Sequence, residues 1–216
     1  MVTQPQARPS ERTSYPDSDG QPTADNTQQF QWIVTIKENL EILFAHQPDY
    51  FVAGDLLWYP IEGNNRLCQA LDVMVVLGRP KGHRGSYQQW QEENIPPQVV
   101  FEILSPSNTA IEMTRKFLFY QQYGVEEYYQ YDPASNELAG SIRKQGGLTD
   151  IADLSGWVSP GLGIRFECSD TLSIYGPNGD RFLTSVELAQ QRDQAEQRAD
   201  RLAVRLRELG VDPDSV

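Results

Sequence analysis

Residues 99–109, Val99-Val100-Phe101-Glu102-Ile103-Leu104-Ser105-Pro106-Ser107-Asn108-Thr109, decide the fold. The first six form a short run of branched and aromatic side chains, as a strand covered on both faces requires, and the next five are turn and cap formers that end it. Thr109 and Glu112 have the spacing of a capping box and Gly124 supplies a C-terminal stop, so the sequence predicts a helix between them. Strand, loop and helix in that order make an α/β unit, and such units gather their sites at strand ends.

Working outward, Leu71-Asp72-Val73-Met74-Val75-Val76-Leu77 reads as a second strand apolar on both faces. Tyr50 to Tyr59 reads as a strand closed by Pro60, and Glu126 to Tyr131 as one closed by Asp132-Pro133. Ile33, Ile36, Leu40 and Leu43 recur at helical spacing within 30–46. Residues 78–97, punctuated by Gly78, Pro80, Gly82, Gly85, Pro96 and Pro97, read as a long loop, and 137–175 as short antiparallel strands with Gly-rich turns. The expected fold is α/β: a mixed central sheet flanked by helices, a β-rich extension, and a separate C-terminal helix.

Three units follow. Residues 1–29 are polar and spotted with proline, a disordered leader unable to bury a face. Residues 30–183 carry the α/β domain. Residues 184–216 open with Thr184 and Glu187 as a capping box, repeat Leu188, Ala195, Leu202 and Leu209 every seventh position, and fill the alternate seam with Ala199 and Leu206, broken at Arg192. That narrow seam points to a short coiled coil and a homodimer; the alternative is a helix packed on its own domain.

The chain has 216 residues and a net charge of -12, with 39% apolar and 22% charged residues. Passive nucleic-acid binders exploit a basic excess, which this chain lacks, so an enzyme acting on nucleic acid would need divalent metal to neutralise its site. No apolar run approaches membrane-spanning length, and the N-terminus lacks the features of a signal peptide, so no membrane and a cytoplasmic location are expected. Cys68 and Cys168 are far apart and outside any Cys-x-x-Cys pattern, which argues for reduced core thiols rather than zinc or disulfides.

Carboxylates inside apolar strands are costly to bury without compensation. Asp72 and Glu102 are two of them. Asp72 could be a half-solvated acid at a strand start, and Glu102 a structural acid paired with arginine or backbone amides. Read functionally, the two with the Ile103 carbonyl form a hard-oxygen set suited to Mg2+ or Mn2+. Lys116 lies on the helix near its core side, between Met113 and Tyr120, where it could hold an attacking water or offset phosphate charge, or simply extend into solvent. Two acids and a lysine are the inventory of a metal-assisted phosphodiesterase. Weaker candidates are Glu38 and Glu41 on the first helix, Asp55 beside Gly54, and the basic-aromatic loop Arg79, Lys81, His83, Arg84, Tyr87 and Trp90. That loop reads either as a phosphate and base contact or as a mobile solvated excursion.

Asp72, then Glu102-Ile103-Leu104-Ser105-Pro106-Ser107, Lys116-Phe117-Leu118-Phe119-Tyr120, Gly124-Val125-Glu126-Glu127-Tyr128 and Asp132-Pro133 together resemble the Uma-type endonuclease family (domain of unknown function 820). That family belongs to the PD-(D/E)XK restriction-endonuclease-like superfamily, and the resemblance spans roughly residues 30–175. It implies a metal-dependent nuclease fold acting on nucleic acid, with DNA the favoured substrate. In the superfamily pattern the first acid and the Glu bind metal, and a Lys two residues after the Glu assists the water. Asp72 and Glu102 match the acids, whereas Leu104 stands in the lysine position, so Lys116 would have to act from the helix. The rival reading is a catalytically silent member that binds or assembles through its C-terminal helix. A third is an acid/base carboxylate hydrolase with no need of Lys116.

Overall fold

The computed structural model describes residues 13–210 and residue 212. Residues 1–12 of the expected leader, and 211 and 213–216 of the expected C-terminal unit, lie outside the described residues. Among those described, α1 (Thr27–Leu43), β1 (Tyr50–Tyr59), β2 (Gln69–Leu77), β3 (Tyr87–Gln88), β4 (Val99–Ile103), α2 (Ala110–Tyr123), β5 (Glu127–Asp132), β6 (Glu137–Lys144) and β7 (Gly147–Asp150) build the core. A hairpin of β8 (Arg165–Cys168) and β9 (Leu172–Tyr175) follows, and then α3 (Ser185–Glu208).

Seven strands form one mixed sheet in the order β3-β1-β2-β4-β5-β6-β7; β4 and β5 are parallel, as are β1 and β3, and the other neighbours are antiparallel. The parallel β4–β5 pair needs a crossover, and α2 is that crossover. Its ends are the ones read from the sequence. Thr109 accepts from the Glu112 amide at 3.2 Å, and Gly124 closes the helix at φ 100.

The two faces of the sheet carry separate apolar clusters. On one, Ile33, Ile36 and Leu40 of α1 pack with Val73, Val75, Val99, Phe101 and Ile103, joined by Phe166 and Ile174 of the β8–β9 hairpin. On the other, Tyr120 of α2 packs with Phe51, Met74, Val76, Val100 and Tyr128. Every residue of β4 is buried, so its alternation sends Phe101 and Ile103 to α1 and Val100 and Glu102 to α2.

Several expectations change. Residues 27–29 are the first turn of α1 rather than leader, because Asn26 caps the helix through the Gln29 amide at 2.8 Å. The 78–97 segment is neither a solvated excursion nor a free basic patch. Tyr87 is fully buried and donates to the Ile95 carbonyl at 2.7 Å, while Glu92 binds Arg79 at 2.9 Å and Arg84 at 2.6 Å. Arg84 also lies over the Phe51 ring at 3.9 Å, and Lys81 pairs with Glu41 at 3.1 Å, so these cations are spent within the fold. Cys168 is exposed at the end of β8 rather than in the core, and Cys68 is half-buried; both are free thiols.

Candidate active site

β4 aims Glu102 under α2, where its carboxylate is 2% exposed. Two side chains one helical turn apart on α2 meet it: Lys116 Nζ lies 2.6 Å from Oε2, and the Tyr120 hydroxyl donates to Oε1. The i, i+4 spacing is what brings both to one carboxylate. Lys116 is itself only 14% exposed, so it extends under the helix toward the sheet rather than into solvent. The structure thus brings Lys116 and Glu102 together from a helix and a strand.

Asp72 arrives from the neighbouring strand. Its Oδ2 accepts from the Ile103 amide at 2.7 Å, across the end of β4, one residue beyond Glu102. The β1–β2 ladder runs from Tyr50↔Leu77 to Trp58↔Gln69, but Asp55 and Asp72, which face each other in that register, form no pair, and Asp55 has φ 49. The side-chain alternation changes phase there: Phe51 and Ala53 before the break share a cluster with Leu56 and Trp58 after it. A local break of this kind is how a strand redirects a side chain beside a cleft.

The electrostatics follow from burial. Desolvation, reinforced by the Glu102 charge, pushes the Asp72 carboxyl from 3.8 up to about 8, with Lys116 and the Ile103 amide pulling the other way. Burial alone would depress the Lys116 ammonium; Glu102 and Asp72 outweigh it and hold its pKa above that of an ordinary lysine. Desolvation and the same Glu102 charge raise the Tyr120 phenol well above its usual value. Lys116 is thus a fixed cation and Tyr120 a fixed donor, and neither is a proton acceptor near neutrality.

A cleft of about 280 Å³ opens beside Asp72 and Lys116, with Asp19, Asp25, Asp55 and Glu112 in its lining. Asp55 therefore does face the cleft, accepting from the Thr23 hydroxyl at 2.5 Å. Glu41 does not, being paired with Lys81, and Glu38 pairs with its neighbour Lys37 at 3.0 Å. The first helix sends Gln29 instead: its Nε2 donates to the Ile103 carbonyl at 2.8 Å. Sequence reasoning missed Gln29 because it fell inside the segment read as leader. Tyr120 was visible only as an apolar-face residue; its spacing from Lys116 was the available signal.

The oxygens suited to a divalent cation are those of Asp72 and Glu102 and the Ile103 carbonyl, whose second lone pair is left over by Gln29. Among the described residues, no group of three or more His, Cys, Asp or Glu side chains is gathered for metal binding. The buried Glu102 and the half-buried Asp72 lie beside a single ammonium, which pairs with Glu102, so the donor set is one that a cation would fit. Glu127, also buried, is a useful contrast. It accepts from the Tyr129 hydroxyl at 2.7 Å, the Ser159 hydroxyl at 2.5 Å and the Gly161 amide at 2.5 Å, a neutral set that pins the 155–163 loop to the sheet.

Residues 6–159 match a family model, Uma2, described as "Putative restriction endonuclease". Among solved structures, the chain is similar to the crystal structure of a "putative nuclease belonging to DUF820" from Anabaena variabilis. Identity there is 14%, 62% of this chain and 72% of that chain are covered, and the TM-score is 0.46. No curated protein matches.

Proposed function

The chain belongs to the Uma2 restriction-endonuclease family, and on that premise we propose that it is a divalent-metal-dependent endonuclease that hydrolyses phosphodiester bonds of DNA. The observation that carries the reading is Glu102, buried at a strand end beside Asp72 and bound by the Lys116 ammonium at 2.6 Å. Asp72, Glu102 and the Ile103 carbonyl would hold Mg2+ or Mn2+. A cation bound there would polarise the phosphodiester and acidify the attacking water. Tyr120 and Lys116 fix the rotamer of Glu102 from above. Lys116, kept protonated, places positive charge where the phosphoryl oxygens gain negative charge, as an electrostatic rather than a basic group. A cytoplasmic location goes with this reading; among the described residues no helix is long and apolar enough to cross a membrane.

The test is plasmid nicking with Mg2+ or Mn2+, comparing wild type with Glu102→Gln, which keeps the shape of the side chain. Cleavage is expected from the first and not the second, and equal cleavage refutes the assignment. Undiminished activity in Lys116→Ala would point to the carboxylate-only hydrolase.

A second reading, the catalytically silent binding or assembly module, draws on two observations: Leu104 occupies the lysine position, and α3 buries none of its residues. Absence of any heat or stabilisation with millimolar Mn2+ would favour it. Both readings take the chain as a homodimer paired through the heptad seam of α3, where Leu202 is 56% and Leu209 71% exposed.

A further inference from the structure

Residues 13–25 hold three carboxylates, Asp17, Asp19 and Asp25, and no lysine or arginine. They form no helix or strand, yet they are tied down at several points. The Tyr15 ring sits against Tyr59 at 5.2 Å and Trp90 at 4.8 Å, and its hydroxyl accepts from the Gly63 amide at 2.5 Å. The Pro16 carbonyl accepts from the Tyr59 hydroxyl at 2.8 Å. Gly85 leaves room for the Asp17 carboxylate, which a Cβ at that position would strike. Beyond these anchors the segment walls the cleft: Asp19, Gln21, Thr23 and Asp25 line it opposite Asp72 and Lys116. Thr23 donates to Asp55, and Asp25 accepts from the hydroxyls of Ser105, at 2.5 Å, and of Ser107. Those two hydroxyls hold the Asp25 carboxyl below the usual carboxylate range, so the wall is charged.

We infer that residues 13–25 are an acidic strap that closes the cleft against polyanions, and that nucleic acid reaches Asp72, Glu102 and Lys116 only when the strap is displaced. This rests on the nuclease reading of the cleft. Two arguments carry it. First, a phosphodiester entering alongside the strap would meet Asp19 and Asp25 in addition to Asp55 and Glu112 on the domain, with Lys116 the only cation of the lining among the described residues. Secondly, the strap is held by a few polar contacts, one aromatic anchor and the half-buried Ala24 rather than by a continuous buried apolar face, and segments held in this way open at low free-energy cost. The strap is also linked to the site: the Asp25 amide donates to Gln29 Oε1 at 2.8 Å, and Gln29 Nε2 donates to the Ile103 carbonyl at 2.8 Å. Displacement therefore removes the strap's hold on Gln29, whose amide also binds the Ile103 carbonyl beside Glu102.

The experiment uses the full chain with Tyr15→Ala and Gly85→Ala combined, both outside the cleft lining. Amide exchange of residues 13–25 is followed by mass spectrometry. Binding of fluorescein-labelled 20-base oligonucleotides, single- and double-stranded, is followed by anisotropy in Ca2+ buffer, so neither readout needs turnover. Faster exchange and about tenfold tighter binding than wild type are expected, because apparent affinity scales with the open fraction. Faster exchange with unchanged or weaker binding overturns the strap as a barrier. Unchanged exchange overturns its anchoring through Tyr15 and Gly85. Failure of the variant, its strap released, to bind either oligonucleotide overturns the nucleic-acid reading itself.

Discussion

Glu102 and Asp72 lie side by side where the β2–β4 ladder ends but differ in what compensates them, and their variants should differ accordingly. Glu102 is buried against an ammonium and a phenol. Glu102→Ala strands both partners, and losing one member of a buried ion pair costs about 3–5 kcal/mol. Urea unfolding should show that loss; Glu102→Gln keeps an acceptor for Tyr120 but still removes the counter-charge of Lys116, so it should lose part of the same stability. Asp72 behaves oppositely. Its folded carboxyl titrates near pH 8 against an unfolded value of 3.8, so between those limits the folded state holds a proton that the unfolded chain has shed. The sign is fixed by that excess: metal-free stability contributed at Asp72 falls as pH rises from 3.8 through about 8. Asp72→Asn removes the decline, and thermal unfolding in chelator at pH 9 should find the variant more stable by on the order of 2–4 kcal/mol. A wild type equally stable across that window would show that Asp72 is ionised without metal.

At the scale of elements, α2 does two jobs, crossing between parallel strands and delivering Lys116 and Tyr120 to Glu102. Its end depends on Gly124, at φ 100, where a Cβ would sit 3.1 Å from Pro96 Cγ. Gly124→Ala should cost about 1–2 kcal/mol in chemical unfolding, since left-handed backbone penalises any side chain. α3 is anchored at its cap, where Arg181 also pairs with Glu187 at 2.6 Å. Thr184 and Glu187 bond reciprocally, and no residue of the helix is buried. Thr184→Ala should lower far-UV helicity and remove about 1 kcal/mol from α3, with Mn2+ binding at the cleft unchanged.

For the whole molecule, a helix of 24 residues, about 36 Å long at 1.5 Å per residue, meets its own domain at its first turns and buries none of its residues there. Deleting residues 185–216 should shift the mass measured by light scattering from dimer to monomer while the domain stays folded. An unchanged oligomer would remove the heptad seam from the interface. The acidic charge of the chain, -12, is concentrated away from α3, whose five arginines balance its five acids, and part of it faces the cleft. Under the proposed function, a polyanionic substrate would be met by a bound cation and by Lys116 rather than by a general basic field.

The sequence by itself determined what local chemistry controls. The bounds of β1 were read as Tyr50–Tyr59, α2 was delimited by Thr109 and Gly124, and the burial of Glu102 followed from its apolar flanks, because propensity, alternation and caps act within a few residues. The pairing of opposite charges across the fold was not legible in this way. That Glu92 neutralises Arg79 and Arg84 from within one long loop, that Gln29 meets Ile103, that Asp55 faces Asp72, and that a polar leader packs beside the cleft are contacts that no local pattern announces. A carboxylate in each of two apolar runs was visible in the chain; which cation and which donors answer them was decided by the tertiary structure, because compensation of a charge taken from water depends on distance in space and not on spacing along the backbone.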